Sequence, residues 1–280
     1  MESETRPPRR PIWEAEVLLY RRTFVSAALG GDGAVRTHAR NERGRDFVVG
    51  DIHGMYSALE RFLEELSFEP DRDRLFSVGD LIDRGPESKA ALQWLTGRRW
   101  FHAIRGNHDQ FLLDAAADPA GERGEEYSVW DYNGGGWWDS VPAPARDAWV
   151  RAFSRLPFAA EVDCEMGTVG IVHADVPEDR TWEEFLSALR DGSREDSYHA
   201  IWSRRRMERH LHAGSAETAP AVEGRVACVI CGHARGQRAE KLANLWMIDT
   251  GAAYTRAMPG SRFTIARIHP GPVRLFEHPT

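Results

Sequence analysis

The chain has 280 residues, 42% of them hydrophobic and 28% charged, enough for one large domain or two small ones with a full core. No apolar run approaches the roughly 20 residues a membrane helix needs, so a transmembrane segment is excluded. The formal net charge of −7 argues against a general nucleic-acid binder, and neither a nucleic-acid duplex nor a membrane is expected as a partner. Three cysteines (Cys164, Cys228 and Cys231) make no disulfide scaffold and point to a reducing compartment, with the cytoplasm expected.

Residues 1–12, rich in Pro, Arg and Glu, read as a disordered tail that lacks the apolar core of a signal peptide. Residues 13–45 form an N-terminal extension, in which Trp13 to Leu29 carries an amphipathic helical pattern closed by Gly30-Gly31-Asp32-Gly33. From Asp46 a repeat begins. DFVVGD is a short apolar strand, followed by helical spacing at Leu59, Phe62, Leu63 and Leu66. LFSVGD is a second, followed by Ala91, Leu92 and Leu95, and FHAIRGNHD is a third, followed by FLLDAAA. Strand and helix alternating about every 30 residues imply parallel strands covered by helices.

Residues 118–156 break this rhythm with frequent Pro and Gly and with Trp130, Trp137, Trp138 and Trp149, and read as a helical insertion over the sheet. Strands resume at FAAEVDC and TVGIVHAD, joined by a hairpin-like turn at Glu165-Met166-Gly167. VACVICGH, LWMID, RFTIARI and VRLFEH follow. Two strand-rich halves in one pattern favour a single domain over 46–280, built from two facing sheets.

The conspicuous polar residues stand at the carboxyl ends of these strands, where ligands bind in open α/β sheets. They are Gly50-Asp51-Ile52-His53-Gly54, Gly79-Asp80-Leu81-Ile82-Asp83-Arg84-Gly85, Arg105-Gly106-Asn107-His108-Asp109, His173-Ala174-Asp175 and Cys231-Gly232-His233. Any one of them reads as an ordinary turn or a hydrogen-bonded histidine. Five in order supply carboxylate, imidazole and amide ligands suited to divalent cations, manganese foremost, with iron or zinc as alternatives. The charge of such ions would govern the local field that an anionic substrate meets, whatever the global sign.

GDIHG, GDLIDRG, GNHD, HAD and GH, in this order and spacing, resemble the calcineurin-like metallophosphoesterases, and specifically the PPP-type serine/threonine phosphatases of the bacteriophage lambda kind. SVGDLIDRG, RGNHDQ, NGGGWW at 133–138, HADVP at 173–177, IWSRRR at 201–206 and ANLWMIDTGA at 243–252 carry the narrower likeness, which runs from about Phe47 to Ile268. The resemblance implies an αββα sandwich of two facing mixed sheets flanked by helices. It implies two divalent cations, one held by Asp51 and His53, the other by Asn107, His173 and His233, with Asp80 bridging. His108 is then the general acid, oriented by Asp83. Arg84, Arg105 and Arg204 grip the phosphoryl oxygens, with Arg206 in reserve for Arg204. The implied reaction is phosphomonoester hydrolysis on phosphoserine, phosphothreonine and phosphotyrosine, in proteins or small molecules, by direct attack of a cation-activated hydroxide. A dinucleoside polyphosphate hydrolase shares the same motifs and is the rival enzyme. A non-catalytic binding module of the same fold is the third reading, and the complete ligand set speaks against it.

Other features read more plainly. Cys228 and Cys231 have CxxC spacing, but on a strand residues three apart face opposite sides, so buried apolar cysteines are expected. The tryptophans read as core or lid packing before base stacking, and Asp109 and Asp175 as loop hydrogen-bonding groups or supports of the ligands. The physiological substrate and oligomeric state stay open at this level.

Overall fold

The computed structural model describes residues 31–117, 125–213, 219–254 and 260–280. The tail at 1–12 and the helical pattern at Trp13–Leu29 lie outside the described residues. Eleven described strands form two sheets. The first, in the order β11-β10-β2-β3-β4, contains β2 (Asp46–Val49), β3 (Arg74–Ser77), β4 (Phe101–Ala103), β10 (Arg262–His269) and β11 (Arg274–Pro279). The second, in the order β1-β5-β6-β7-β9-β8, contains β1 (Val35–His38), β5 (Ala159–Cys164), β6 (Gly167–Val172), β7 (Cys228–Cys231), β8 (Glu240–Leu242) and β9 (Leu245–Met247).

Both sheets are mixed. β2, β3 and β4 run parallel, as do β6, β7 and β9, while β5 and β6 form the antiparallel hairpin read from the turn at 165–167. β1 falls inside the stretch read as an N-terminal extension, yet it pairs in parallel with β5, Val35 opposite Ala159. Its sequence, Val-Arg-Thr-His, is too short and polar to announce an edge strand, because only one of its faces is covered.

Side-chain alternation divides the core. Val48, Phe76, Val162, Val169, Ile171, Cys228 and Ile230 belong to one buried cluster drawn from both sheets, the layer between them. Their neighbours Phe47, Val49, Leu75, Val172, Val229 and Cys231 turn outward beneath the helices. Cys228 and Cys231 thus face opposite sides of β7, both free and buried. Helix α1 (Tyr56–Glu65) buries Leu59, Phe62 and Leu63 through its i, i+3, i+4 spacing. Helices α2 (Ala90–Gly97) and α3 (Asn107–Ala117) follow β3 and β4. The insertion contributes α4 (Glu125–Tyr132), a 3-10 turn at Gly135–Ser140, and α5 (Ala143–Phe153). On the second sheet, α6 (Trp182–Arg190) starts at a capping box in which Thr181 and Glu184 satisfy each other's backbone N–H groups. Helices α7 (Arg194–Trp202) and α8 (Arg205–Ala213) come next. Among the described residues no helix is long and apolar enough to cross a membrane.

Parallel register is what assembles the site. Val49 pairs with Ser77 and Ser77 with Ala103, so the loops carrying Asp51, Asp80 and Asn107 leave one sheet at the same level. Ile171 pairs with Ile230, which sends His173 and His233 out together from the other sheet.

Candidate metal centre and active site

Asp51, His53, Asp80, Asn107, His173 and His233 converge and are at most 6% exposed. Asp80 occupies the middle: its carboxylate lies 3.4 Å from His53 Nε2 through Oδ2 and 3.4 Å from His173 Nε2 through Oδ1. Potential ligand atoms of Asp51, Asp80 and His173 all fall within 4.8 Å of one another, as do those of His53, Asp80 and His108. Asn107 Oδ1 is 2.9 Å from His173 Nε2. His233 joins through its backbone N–H, which donates to Asp51 Oδ1 at 3.2 Å, and through its ring, 5.0 Å from that of His173.

The backbone presents these side chains by force. His53, Asp80, Asp83, Arg84 and His233 all have left-handed φ values between 45° and 73°. Such conformations cost on the order of 1–3 kcal/mol each in non-glycine residues and concentrate where a site requires them. Gly232 must be glycine, since a Cβ there would lie 2.1 Å from Asp51 Oδ1. Asp109 ties two loops together, accepting from the N–H groups of Asp80, Leu81 and Gly106 at 2.8–3.0 Å. The loop-bonding reading of Asp109 is the one that its contacts describe.

The donor set fits divalent cations. His53 Nδ1 and His173 Nδ1 each lie 2.8 Å from a backbone carbonyl, of Ile82 and Val78, which fixes the tautomer and leaves Nε2 as a lone-pair donor toward the cluster. Burial holds the imidazoles of His53 and His233 well below their usual range and that of His173 at about 4, so they are neutral, as ligands must be. Burial, followed by the neighbouring Asp249 and Asp80, pushes Asp51 well up; burial pushes Asp80 to about 7. Two carboxylates packed this deeply stay ionised together only with positive charge beside them, and the neutral rings supply none.

Beside the cluster, His108 Nδ1 is 2.7 Å from Asp83 Oδ2, and the two side chains are 1% and 0% exposed. With Nδ1 committed to Asp83, Nε2 is the ring nitrogen left to face a ligand. Trp130 Nε1 donates to Asp83 Oδ2 at 2.8 Å and Trp137 Nε1 to Oδ1 at 2.7 Å. The sequence assigned these tryptophans to packing; no sequence signal marks an indole N–H that reaches a carboxylate 47 or 54 residues away.

The arginines divide. Arg84 is exposed at the mouth, where its Nη1 contacts His53 Nε2 and its guanidinium lies 5.1 Å from the Tyr254 ring centroid. Arg204 is exposed too, its Nε 3.2 Å from His233 Nε2. Arg206 turns inward to Asp175, Nε to Oδ1 at 2.9 Å. Arg105, expected from the resemblance to grip phosphate, is placed deeper than Arg84 and Arg204. It is 1% exposed, and its Nη atoms donate to Gln110 Oε1 at 2.9 Å and to the Ser154 carbonyl at 3.0 Å, pinning the insertion to α3. Arg235, missed in the sequence, is exposed with its guanidinium 3.9 Å from the Tyr254 centroid, on the same ring as Arg84.

The calcineurin-like phosphoesterase family model matches residues 47–234. The chain is 36% identical over 238 residues to serine/threonine-protein phosphatase 1 of Salmonella typhimurium, covering 83% of this chain and 95% of that one. It is 42% identical over 81 residues to the symmetrical bis(5'-nucleosyl)-tetraphosphatase of Dechloromonas aromatica, covering 29% of each. A serine/threonine phosphatase structure from Saccharomyces cerevisiae has the same fold, with a TM-score of 0.60 at 14% identity over 96% of this chain and 89% of that one. Five strand ends bearing candidate ligands, their convergence on one buried cluster and a match spanning most of the chain lead to one conclusion: the chain belongs to the calcineurin-like phosphoesterase family.

Proposed function

We propose that the protein removes phosphoryl groups from phosphoserine and phosphothreonine, and also from phosphotyrosine, in protein substrates. The single observation that carries this reading is the His108–Asp83 pair standing beside the carboxylate–imidazole cluster. An alkoxide is a poor leaving group, so such a reaction needs a proton donor at the leaving oxygen in addition to charge at the phosphorus. Similarity to a serine/threonine-protein phosphatase over 95% of that relative's length supports the substrate class.

Two divalent cations, manganese in our reading, supply the positive charge and nucleophile activation that phosphoryl transfer requires when bound. Asp51 and His53 hold one, Asn107, His173 and His233 the other, and Asp80 serves both from its central place. Arg84 and Arg204 lie on the open side of the cluster, where planar guanidinium groups match phosphoryl oxygens. His108 Nε2 carries the proton to the leaving oxygen while Asp83 keeps the ring turned. The three free, buried cysteines take no part and suit a cytoplasmic setting.

A side-by-side assay of the manganese-loaded protein on a phosphoserine peptide and on diadenosine tetraphosphate tests the reading. We expect kcat/KM to favour the peptide. A preference for the dinucleotide by orders of magnitude would replace it with the tetraphosphatase reading, which the 42% identity over 81 residues favours locally. No turnover of p-nitrophenyl phosphate by metal-loaded protein would leave only a binding module.

A further inference from the structure

Asp83 is surrounded by donors. Its Oδ2 receives Trp130 Nε1 at 2.8 Å and faces His108 Nδ1 at 2.7 Å, while its Oδ1 receives Trp137 Nε1 at 2.7 Å. Indole N–H only donates, so both oxygens are held as acceptors. Within its own loop Asp83 donates its backbone N–H to Ser88 Oγ at 2.8 Å. Asp83 and Arg84 have φ values of 73° and 65°, in the left-handed region. The insertion closes on this loop tightly: Gly134 has φ 104°, and a Cβ there would lie 2.6 Å from Arg84 N. Trp130 is 1% exposed and braced by Trp137 and Trp138 at ring separations of 6.5 and 6.1 Å; Trp137 is half-buried, 5.0 Å from Trp149. The aromatic cluster is therefore a rigid mount that aims two N–H groups at one carboxylate.

We propose that Trp130 and Trp137 are positioning residues for hydrolysis, locking the Asp83 carboxylate toward His108 Nδ1 and thereby turning His108 Nε2 to the leaving oxygen. The helical insertion then contributes to the chemistry and is more than a cover. This inference rests on the reading of His108 as the proton donor.

The test is a double-mutant cycle of Trp137→Phe and Trp130→Phe with Asp83→Asn, with kcat/KM read on a phosphoserine peptide and on p-nitrophenyl phosphate. Phenylalanine keeps most of the ring packing and removes the N–H. A general acid contributes about 10²–10⁴-fold, so weakening its mount in W137F should lower peptide turnover by about tenfold and aryl phosphate turnover much less. In the D83N background W137F should add no further loss, because the group it positions is already gone. The same fold-loss in both backgrounds, or an equal loss on both substrates in W137F, would overturn the proposal. The His108 reading fails separately, if His108→Asn itself costs the two substrates equally. As a check that needs no turnover, the low-field proton on His108 Nδ1 should shift and exchange faster in W137F than in wild type. An unchanged resonance also overturns the proposal.

Discussion

Arg206 Nε lies 2.9 Å from Asp175 Oδ1, with the two side chains 2% and 5% exposed, and its other nitrogens reach the carbonyls of Val176 and Pro220. Two residues earlier, Arg204 stands in the open beside His233. A run of three arginines thus holds one structural and one site-facing guanidinium.

Arg206→Ala should therefore act on stability. Leaving Asp175 buried without its partner costs about 3–5 kcal/mol, measured as a lowered denaturation midpoint in urea. The surviving folded fraction should keep a near-normal KM. Arg204→Ala should leave the midpoint within about 0.5 kcal/mol of wild type and lower kcat/KM instead. If Arg204→Ala destabilised the fold and Arg206→Ala spoiled KM alone, the division would be wrong.

His108→Asn keeps a hydrogen-bonding side chain but has no titratable proton. It should cut turnover of a phosphoserine peptide by about 10²–10⁴-fold, and turnover of p-nitrophenyl phosphate far less, since an aryloxide leaves with little protonation. Steady-state assays on both substrates decide the point.

Asp80 sits between the Nε2 atoms of His53 and His173, so its loss should affect both halves of the cluster. In wild type, manganese at 100-fold its Kd should raise stability by about 2.7 kcal/mol. Asp80→Asn should abolish that rise and lower the bound metal measured by elemental analysis. Metal-free Asp80→Asn should be no less stable than metal-free wild type, because the substitution relieves the packing of Asp80 against Asp51. A metal-dependent rise in Tm that survived in this variant would remove Asp80 from the centre.

His38 on β1 and His102 on β4 meet across the edge of the two sheets, rings 4.7 Å apart and both against Phe76. Burial holds His38 at about 3, and burial followed by Arg74 holds His102 at about 4, both below the ordinary 6.5. The unfolded chain therefore binds more protons between about pH 6.5 and 3–4. Stability is full above 6.5 and falls as pH drops through that window, by up to about 1.4 kcal/mol per pH unit for each histidine. His102→Phe should flatten the fall, as read from urea midpoints at pH 7 and pH 5. An unchanged slope would place the acid sensitivity elsewhere.

Much of this protein is local and so is legible in its sequence. Short apolar runs ending in Gly-Asp, Gly-Asn or Gly-His are strands whose last residues must leave the sheet, and the repeat of strand and helix implied parallel order. From these followed the two facing sheets and the polar strand ends, because residue type and strand-end position are both properties of the chain itself; the choice of Asp51, His53, Asp80, Asn107, His173 and His233 among them is what the family resemblance implies.

What depended on direction in space was not readable. Arg84 and Arg105 both sit in strand-end motifs, yet one guanidinium opens to the mouth and the other is drawn into carbonyl groups at the end of α5. Arg204 and Arg206 are two positions apart, and only the packing of α8 decides which of them meets Asp175. Trp130 and Trp137 look apolar in sequence, since indole area dominates their chemistry until a buried acceptor comes within reach of the N–H. The sequence alone determined which side chains the strand ends offer. The tertiary structure decided where each one points, because orientation comes from contacts between segments far apart in the chain.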